Sequence, residues 1–275
     1  MLRIFHIFNH LAILIYILLG GPILNWNLAA SVGIYSLLGC FGISLGYHRY
    51  LSHKSFEPYT IFSNFMIWLG MISCGGSPLS WVAAHRYHHL HSDTDKDIHN
   101  VSRDGWLKVY FHIWQPFYIK ARMIKDLLMD KRIVFLHKHY FLLVGLWALL
   151  LYSINIKVGV FGFSIPAVLS FHFYGLINVL GHSFGQRPLK TNDTSTNHWF
   201  INIFVFGEGW HQNHHRIQSS HRIGLRPGEF DISAWLIETF PFSRDWKLLK
   251  KKSQFVRAKL LALENELKYI THLKA

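Results

Sequence analysis

Long apolar runs, separated by blocks of charged residues, dominate the pattern of this chain. Four of the runs contain no Asp, Glu, Lys or Arg; they cover residues 11–24, 28–47, 139–156 and 158–181. With the apolar residues that precede it added to the first run, each is close to the roughly 20 residues that a helix needs to cross a bilayer. Four buried helices of a soluble protein are the alternative, which uncharged runs of this length disfavour. The pattern therefore predicts membrane-spanning helices at about residues 4–24, 28–47, 139–156 and 158–181.

The charged residues lie in two blocks, at residues 48–138 and 183–275. All but two of the 28 Lys and Arg residues fall in these blocks, the exceptions being Arg3 and Lys157. Four spans return the chain to its starting side, and an excess of Lys and Arg marks the cytoplasmic side of a membrane protein. We therefore predict a single all-α integral membrane domain over residues 1–275. It is multi-pass, and its two termini and charged blocks form a cytoplasmic helical cap.

Composition agrees with a membrane protein and narrows the choice of partners. Hydrophobic residues make up 51% of the chain and charged residues 16%, against about 25% charged residues in ordinary soluble domains. The net charge of +13 could indicate nucleic-acid binding, but no recognition motif is present and the positive charge follows the predicted topology. We therefore expect membrane lipid, and no nucleic acid, as a partner. The tail from Trp246 to Ala275 predicts a basic amphipathic helix that either lies on anionic lipid or packs on the cap.

Two histidine triplets with the same spacing occur at distant places in the chain. The stretches "AAHRYHHLHSD" and "FGEGWHQNHHRIQSSH" contain His85, His88 and His89, and His211, His214 and His215. On a helix, residues at i, i+3 and i+4 share a face, so each triplet directs its imidazoles to one place. A lone histidine in apolar surroundings is usually a core residue, but two identical triplets indicate a metal site. Imidazoles without cysteine favour iron, zinc, copper or nickel over magnesium or calcium.

Two further polar groups lie at the cytoplasmic ends of the second and fourth predicted spans. His48 and His53 occur in "GYHRYLSHKSF", and their i, i+5 spacing turns about 140° on an ideal α-helix. Either the helix unwinds there or the two histidines approach the site from different directions. Asn178 and His182, in "NVLGH", stand one turn apart at the depth of His48. We predict that these spans and the two triplets enclose two metal ions, with open positions for a small molecule such as dioxygen.

The motifs "HRYLSH", "HRYHH" and "HQNHH" resemble the three histidine boxes of the membrane fatty acid desaturases in order, spacing and placement. From about Gly42 to Phe240 the chain is similar to the acyl-CoA, delta-9 branch of that family. The resemblance implies two iron ions (Fe²⁺) in the cap, with Asn178 acting on one of them through water. The implied histidine ligands are His48, His53, His85, His88, His89, His182, His211, His214 and His215.

The resemblance also implies the activity and the partners. It predicts a dioxygen-dependent desaturase that introduces a cis double bond into a long acyl chain, with delta-9 as the expected position. The acyl chain could be linked to CoA, to a carrier protein or to a lipid. No fused cytochrome domain or HPGG sequence is present, so we expect an external electron donor such as a small b-type cytochrome or a ferredoxin.

The resemblance places the closed end of an acyl tunnel two to three helical turns before His48. Ser36 and Cys40 occupy that depth, about 12–18 Å along the helix from His48. Both are small, which predicts room for a long acyl tail beyond the new double bond. Alternatively, both face lipid or the first span, as small residues at helix contacts often do.

Two other functions are alternatives. A hydroxylase or related oxygenase on the same scaffold could use the same histidines and differ only in substrate placement. A non-enzymatic metal carrier would need ionisable groups along its spans. The four predicted spans contain no Asp, Glu, Lys or Arg, which favours a fixed catalytic site.

Overall fold

The computed structural model describes residues 2–113 and 117–258, which form helices and no β-strand. The first part contains α1 (Leu2–Leu18), α2 (Trp26–Ser52), α3 (Thr60–Ile72), α4 (Pro78–His91), α5 (Val101–Asp104) and α6 (Trp106–Tyr110). A 3₁₀-helix (Ala121–Ile124) leads into α7 (Lys125–Met129), α8 (Lys131–Lys138) and α9 (Tyr140–Ile154). The last part contains α10 (Ile156–Leu180), α11 (Trp199–Asn202), α12 (His211–Arg216), α13 (Ile232–Thr239) and α14 (246–258). The all-α class is confirmed for these residues. The part of the predicted tail helix beyond residue 258 lies outside the described residues.

The number of spans differs from the prediction. Among the described residues, two helices, α2 and α10, are long and apolar enough to cross a membrane. The pair α8 and α9 passes the same test together, but its axis bends by 66° between Lys138 and Tyr140. The apolar helices α1 and α3 are shorter. By length and composition, the described residues therefore contain two candidate spans, or three if the bent pair forms one span, in place of the four predicted.

A Gly-Gly-Pro sequence explains why the first predicted span was too long. Gly20 has a φ of +79°, a left-handed conformation that glycine adopts without steric cost. A Cβ atom on Gly21 would lie 2.4 Å from the ring of Tyr16, so the chain folds back on the end of α1. Pro22 lacks the backbone N–H that a continuing helix needs. Residues 19–24 therefore connect α1 to α2 instead of extending α1.

Helix α10 has α1 packed along it in the antiparallel direction. Near the middle of α1, Ser164 Oγ donates to Asn9 Oδ1 at 2.7 Å. Towards the end of α1, the ring of Tyr16 packs edge-on against Phe161, with 5.7 Å between centroids. Later residues of α1 therefore meet earlier residues of α10, and the first turns of α1 lie near the C-terminal half of α10.

Helix α4 is anchored to the C-terminal end of α2. The guanidinium group of Arg86 donates to the carbonyls of Leu51 and Ser52 at 2.7 and 3.1 Å. These carbonyls have no partner within the helix, because the last turn of a helix leaves its acceptors unpaired. The same guanidinium binds both carboxylate oxygens of Asp126 at 2.8 and 2.9 Å. Arg86 thus positions one histidine-bearing helix against the end of another.

Candidate metal centre

The nine histidines predicted as ligands lie in two adjacent groups. They come from the C-terminal end of α2, from α4, from the turn after α10 and from α12. Within each group, the ring nitrogens that could bind a metal all lie within 4.8 Å of one another. The first group is His48, His53, His85, His89 and His214, and the second is His88, His182, His211 and His215. Each group could hold one metal ion, and metal binding itself stays a prediction.

A π-helix over Leu38–Ser52, at the end of α2, brings His48 and His53 into one group. Backbone hydrogen bonds in a π-helix join residues i and i+5, and the amide of His53 donates to the carbonyl of His48 at 3.1 Å. The two imidazole centroids are 4.8 Å apart. The i, i+5 spacing had left two possibilities open, a local change of helix geometry or an approach from different directions. The structure shows the change of helix geometry.

Carboxylates contact four of the imidazoles at Nδ1. The pairs are His48 with Glu208 (2.7 Å), His88 with Asp97 (2.9 Å), His182 with Asp93 (3.0 Å) and His215 with Asp193 (2.7 Å). A carboxylate that accepts the Nδ1–H group fixes the tautomer in which Nε2 carries the lone pair. The contacts of His88, His182 and His215 are hydrogen bonds, so each of these three rings presents a metal-binding nitrogen to its group.

The Nε2 atoms face one another at short distances. The closest pairs are His48 with His214 (3.0 Å), His53 with His85 (2.8 Å), His89 with His214 (2.8 Å) and His182 with His211 (3.0 Å). Nε2 of His88 and of His215 has no hydrogen-bond partner among the described residues. A buried polar atom without a partner costs about 1–3 kcal/mol, and a metal ion that accepts these lone pairs would remove that cost. The donor set, nitrogen throughout, fits iron, zinc, copper or nickel.

Burial keeps six of the nine imidazoles neutral. It lowers the pKa of His53, His85 and His89 well below the usual value, and neighbouring imidazoles lower the pKa further. The same two causes lower the pKa of all three histidines of α12. Because a metal binds the neutral form of imidazole, protons compete little for these nitrogens at neutral pH.

The four carboxylates that orient the histidines were not predicted as site residues. Their spacing to the histidine motifs follows no rule, although Asp93 and Asp97 lie in the quoted stretch just after the second motif. The available signal was chemical, because a metal-bound histidine commonly donates its other N–H to a carboxylate. Burial raises the pKa of Asp93, but hydrogen bonds from His182 and Thr194 outweigh burial and lower it to about 2. Asp93 is therefore a carboxylate at neutral pH.

His99, which was not among the predicted ligands, lies beside the two groups. Its ring stacks on His88 with 4.2 Å between centroids, and it forms a third potential metal-binding group with His88 and Asp97. Asn178 lies on the wall of a cavity that His85 and His99 also line. Asn178 is therefore beside the histidine groups, and its action through water stays a prediction.

An apolar cavity of about 600 Å³ adjoins the histidines. Its wall beside them is formed by Ile43, Trp81 and Tyr174 together with His85 and Asn178. The volume lies within the ~300–1,000 Å³ range of small-molecule sites. A long apolar molecule in this cavity would lie against the proposed metal ligands.

The two residues predicted for the closed end of the tunnel do not line this cavity. Cys40 is buried, with its Sγ 3.6 Å from Ser233 Oγ. Ser36 is partly exposed and donates to the carbonyl of Val32 at 2.9 Å. Ile43, one helical turn nearer to the histidines than Cys40, is the residue of α2 that reaches the cavity.

A buried ion-pair network extends from His48 into the carboxyl-terminal part of the chain. Glu208, which contacts His48, accepts a short hydrogen bond from Ser44 and lies 3.4 Å from Nη2 of Arg49. Nη1 of Arg49 donates to Oδ1 of Asp231 at 3.0 Å. The side chain of Arg49 is 1% exposed and that of Asp231 is 0% exposed. The orientation of His48 is thus linked to Asp231.

Three named proteins are similar to this chain over most of its length. The sn-1 stearoyl-lipid 9-desaturase of Anabaena variabilis is 37% identical over 238 residues, which are 81% of this chain and 86% of that protein. Delta-9 acyl-lipid desaturase 2 of Arabidopsis thaliana is 33% identical over 222 residues, or 78% and 72% of the two chains. The Acyl-CoA C20 Delta5-desaturase of Anemone leveillei is 34% identical over 215 residues, or 76% and 69%.

Residues 22–222 match the family model that describes fatty acid desaturases. The matched range contains all three histidine motifs and both groups of ring nitrogens. It also contains α2 and α10, the two helices that are long enough to span a membrane. The chain belongs to the fatty acid desaturase family, and it is an oxidoreductase of that family.

Proposed function

We propose that this protein uses dioxygen to introduce a cis double bond into a long acyl chain. Two iron ions would be held by the two histidine groups, one ion in each. The observation that carries the proposal is the position of the cavity, whose apolar wall includes His85 and Asn178. An acyl chain bound there would lie beside the metal ligands and away from water.

The residues of the chain have separate tasks in this proposal. Iron bound at the histidines would supply the activation of dioxygen that methylene C–H bonds require, since these bonds offer no acidic proton. The carboxylates orient the imidazoles, and the cavity positions the chain and excludes water. Two hydrogens from adjacent methylenes, with two electrons from the donor and two protons, account for the reduction of dioxygen to two waters. Those electrons would come from a separate small cytochrome or ferredoxin.

We propose delta-9 as the position of the double bond and residues 1–275 as one catalytic domain. The relatives named above include stearoyl-lipid and acyl-lipid 9-desaturases and a CoA-linked Delta5-desaturase. Both linkages and more than one position therefore occur among relatives of similar identity. The delta-9 proposal rests on the two 9-desaturases and on the resemblance of the motifs and their surroundings.

Fatty-acid profiling tests the proposed function. The protein would be expressed, with an electron donor, in a host that lacks desaturases, and the position of every double bond would be determined by mass spectrometry. A new cis alkene at carbon 9 is the expected product. A hydroxylated chain at the same carbon would identify an oxygenase instead. An unchanged lipid profile from protein that contains iron and receives electrons would contradict an acyl-modifying function.

We propose that both termini and the metal centre face the cytoplasm. The Lys and Arg residues of the two charged blocks support this orientation, because positive residues are retained on the cytoplasmic side. Epitope tags placed at each end should both be protected from protease in intact cells and become accessible once the cells are opened. Protection of only one tag would contradict the orientation.

The tunnel prediction can be tested in the same profiling experiment. The prediction requires that the acyl tail pass Ile43, which lines the cavity, and continue one helical turn to Cys40. Cys40→Phe and Ser36→Trp should then shift the products toward shorter chains, with the double bond at an unchanged distance from the carboxyl end. Leu37→Phe is the matched control, since Leu37 lies on the same helix and is 49% exposed. An unchanged product spectrum for both Cys40→Phe and Ser36→Trp, at normal expression, would place these residues outside the tunnel.

A further inference from the structure

Helix α14 carries four lysines that pair with no carboxylate of the cap. All four are exposed; they are Lys247, Lys250, Lys251 and Lys252. Over residues 2–113 and 117–258, Lys54 is the one lysine that forms an ion pair. The positive charge of α14 is therefore available to a partner outside the described part of the chain.

One face of α14 packs on the cap. Leu249 is 5% exposed and lies in a buried apolar cluster with Phe56 and with Ile237 of α13. One helical turn later, the buried hydroxyl of Ser253 donates a short hydrogen bond to Glu238 of α13. Because residues four apart share one face of a helix, these two contacts hold the same face of α14 against the cap.

The polar contact of Ser253 is an anchor and not a second catalytic site. Nε2 of His221 lies 3.0 Å from Ser253 Oγ and also 3.0 Å from Glu238 Oε1. In a catalytic triad, the serine and the carboxylate contact different nitrogens of the histidine. Glu238 also accepts two hydrogen bonds from the guanidinium group of Arg222, at 2.9 and 2.6 Å. This buried cluster fixes the rotation of α14 about its own axis.

The opposite face of α14 is apolar at its centre and basic around it. Leu248 and Phe255 are 53% and 69% exposed, and residues two turns apart lie on the same side of a helix. Lys251 and Lys252 lie between them, three or four residues from each, and so belong to the same face. Exposed Leu and Phe among lysines are typical of a helix that lies in the plane of a membrane interface.

The start of α14 lies beside the start of the apolar helix α3. The amide of Tyr59 donates to the carbonyl of Phe242 at 3.0 Å, and the amide of Arg244 donates to the carbonyl of Glu57 at 3.0 Å. Helix α3 begins one residue after Tyr59, and α14 begins two residues after Arg244. The two helices therefore begin at the same level of the molecule.

Helix α3 exposes a continuous apolar surface from its first turn onward. Ile61, Phe62 and Phe65 are 75%, 42% and 48% exposed. An apolar surface of this kind marks a contact with a membrane or with another protein, and in a membrane protein the bilayer covers it. The ring of Phe62 lies 5.7 Å from that of Phe242, so the segment that leads into α14 borders this surface.

We propose that α14 is a membrane-surface site that binds anionic phospholipid headgroups through Lys247, Lys251 and Lys252, with Leu248 and Phe255 inserted among the acyl chains. The sequence left lipid contact and packing on the cap as alternatives, and α14 has a separate face for each. A lipid bound here is not a substrate, because none of these residues lines the cavity beside the histidines. The site is therefore independent of the proposed function.

An acidic protein is the other partner that four lysines could attract. The position of α14 favours the membrane, because a bilayer that covers the exposed side of α3 also reaches the start of α14. The exposed Phe255 favours it as well, since an aromatic ring surrounded by lysines gains more from acyl chains than from a charged protein surface. An acidic partner would leave Phe255 in water or against protein, which is a measurable difference.

Spin labels on two sides of α14 test the site in the full-length protein. Both native cysteines, Cys40 and Cys74, are buried, so a label reacts with the introduced cysteine of Phe255→Cys or of Lys250→Cys. Lys250 is exposed but lies about 140° around the helix from Phe255. In nanodiscs of equal parts phosphatidylglycerol and phosphatidylcholine, dissolved oxygen should relax the label at position 255, and a water-soluble nickel complex should relax the label at position 250. A label at position 255 that only the nickel complex reaches would overturn the proposal.

Removal of two lysines tests the role of charge. In the protein labelled at position 255, Lys251→Gln together with Lys252→Gln should lower the ratio of lipid-bound to water-exposed label about 25-fold, since each lysine near an anionic surface contributes about fivefold. Lys96→Gln with Lys190→Gln is the matched control, because it removes the same charge from exposed positions outside α14. The control should change the ratio by less than about twofold. Equal changes in the two pairs, or an unchanged ratio in nanodiscs of phosphatidylcholine alone, would overturn the anionic-lipid site. Neither measurement requires turnover, so the outcome is separate from that of the fatty-acid profiling.

Discussion

Replacement of His88 or His214 by alanine is expected to abolish desaturation while the protein remains in the membrane. Both residues are buried, and each belongs to one of the two groups of ring nitrogens. Loss of a residue that only orients a ligand costs about 10–100-fold in metal affinity or activity, and loss of a ligand itself should cost more. Neither residue lies on α2 or α10, so insertion into the membrane should be unaffected.

The two variants should differ in the metal that they retain. His214→Ala leaves four imidazoles in the first group, and His88→Ala leaves three in the second. His88→Ala also leaves the buried carboxylate of Asp97 without the Nδ1–H group that donates to it at 2.9 Å. We therefore expect His88→Ala to lose more metal than His214→Ala. The measurement is metal content by mass spectrometry, together with product formation in the desaturase-free host.

His139→Ala is the control for this pair, because His139 is exposed and belongs to neither group. It should retain the metal content and activity of the wild-type protein. Normal iron with substantial activity in His88→Ala or in His214→Ala would remove that residue from the ligand set. Equal metal loss in all three variants would indicate general instability and would contradict the assignment of two separate sites.

Periodicity gave the histidine triplets because both lie on regular helices. The i, i+3, i+4 spacing in α4 and α12 depends only on α-helical geometry, so the sequence brought each triplet to the centre. It did not show that each triplet divides between the two groups, with His88 apart from His85 and His89, and His214 apart from His211 and His215. His48 and His53 required the π-helix at the end of α2, which no simple spacing predicts. The carboxylates presented a different difficulty. Asp193 and Glu208 reach the site through loops, whose course is set by tertiary contacts.

Hydropathy located the apolar segments better than it located the ends of the helices. The predicted span at residues 28–47 corresponds to α2, which extends to Ser52 because its last turns are buried against α3 and α4 and not against lipid. The predicted first span included residues 19–24, which are apolar but form a connection. Apolar composition indicates which segments are shielded from water, while glycine and proline determine where a helix ends.

A second group of histidines, which lies apart from the metal centre, shows the limit of reasoning from sequence neighbours. Its members are His6, His10, His112 and His172, and only His6 and His10 stand at a helical spacing from each other. They meet because α1 runs antiparallel to α10, and because α6 touches α10 at Gly175. Such a group depends on how three segments pack. It can be recognised only after the fold is known.

Asp231→Asn is expected to cause the largest loss of stability among conservative substitutions of the cap. Burial raises the pKa of the Asp231 carboxyl, but Arg49 and the amides of Ala234 and Ile223 outweigh burial and lower it. Asp231 Oδ1 accepts from Arg49 and from the amide of Ala234, and Oδ2 accepts from the amides of Ile223 and Gly224. An asparagine side chain would direct its NH₂ group at one of these sets of donors. It would also remove one of the two carboxylate charges, those of Asp231 and Glu208, that compensate the buried guanidinium of Arg49.

Breaking a buried ion pair by removing one partner costs about 3–5 kcal/mol, so Asp231→Asn should lower the free energy of unfolding by about that amount. Asp130→Asn is the matched control, because Asp130 also caps a helix and also pairs with an arginine, Arg132, at 2.7 Å. That pair is 28% and 39% exposed, and exposed pairs contribute only about 0–1 kcal/mol. Thermal unfolding of the detergent-purified variants measures the difference. Because Asp231 also holds Arg49 against Glu208, which contacts His48, Asp231→Asn should in addition lose metal from the first histidine group. Similar unfolding midpoints and metal contents in the two variants would show that the buried network does not support the metal centre.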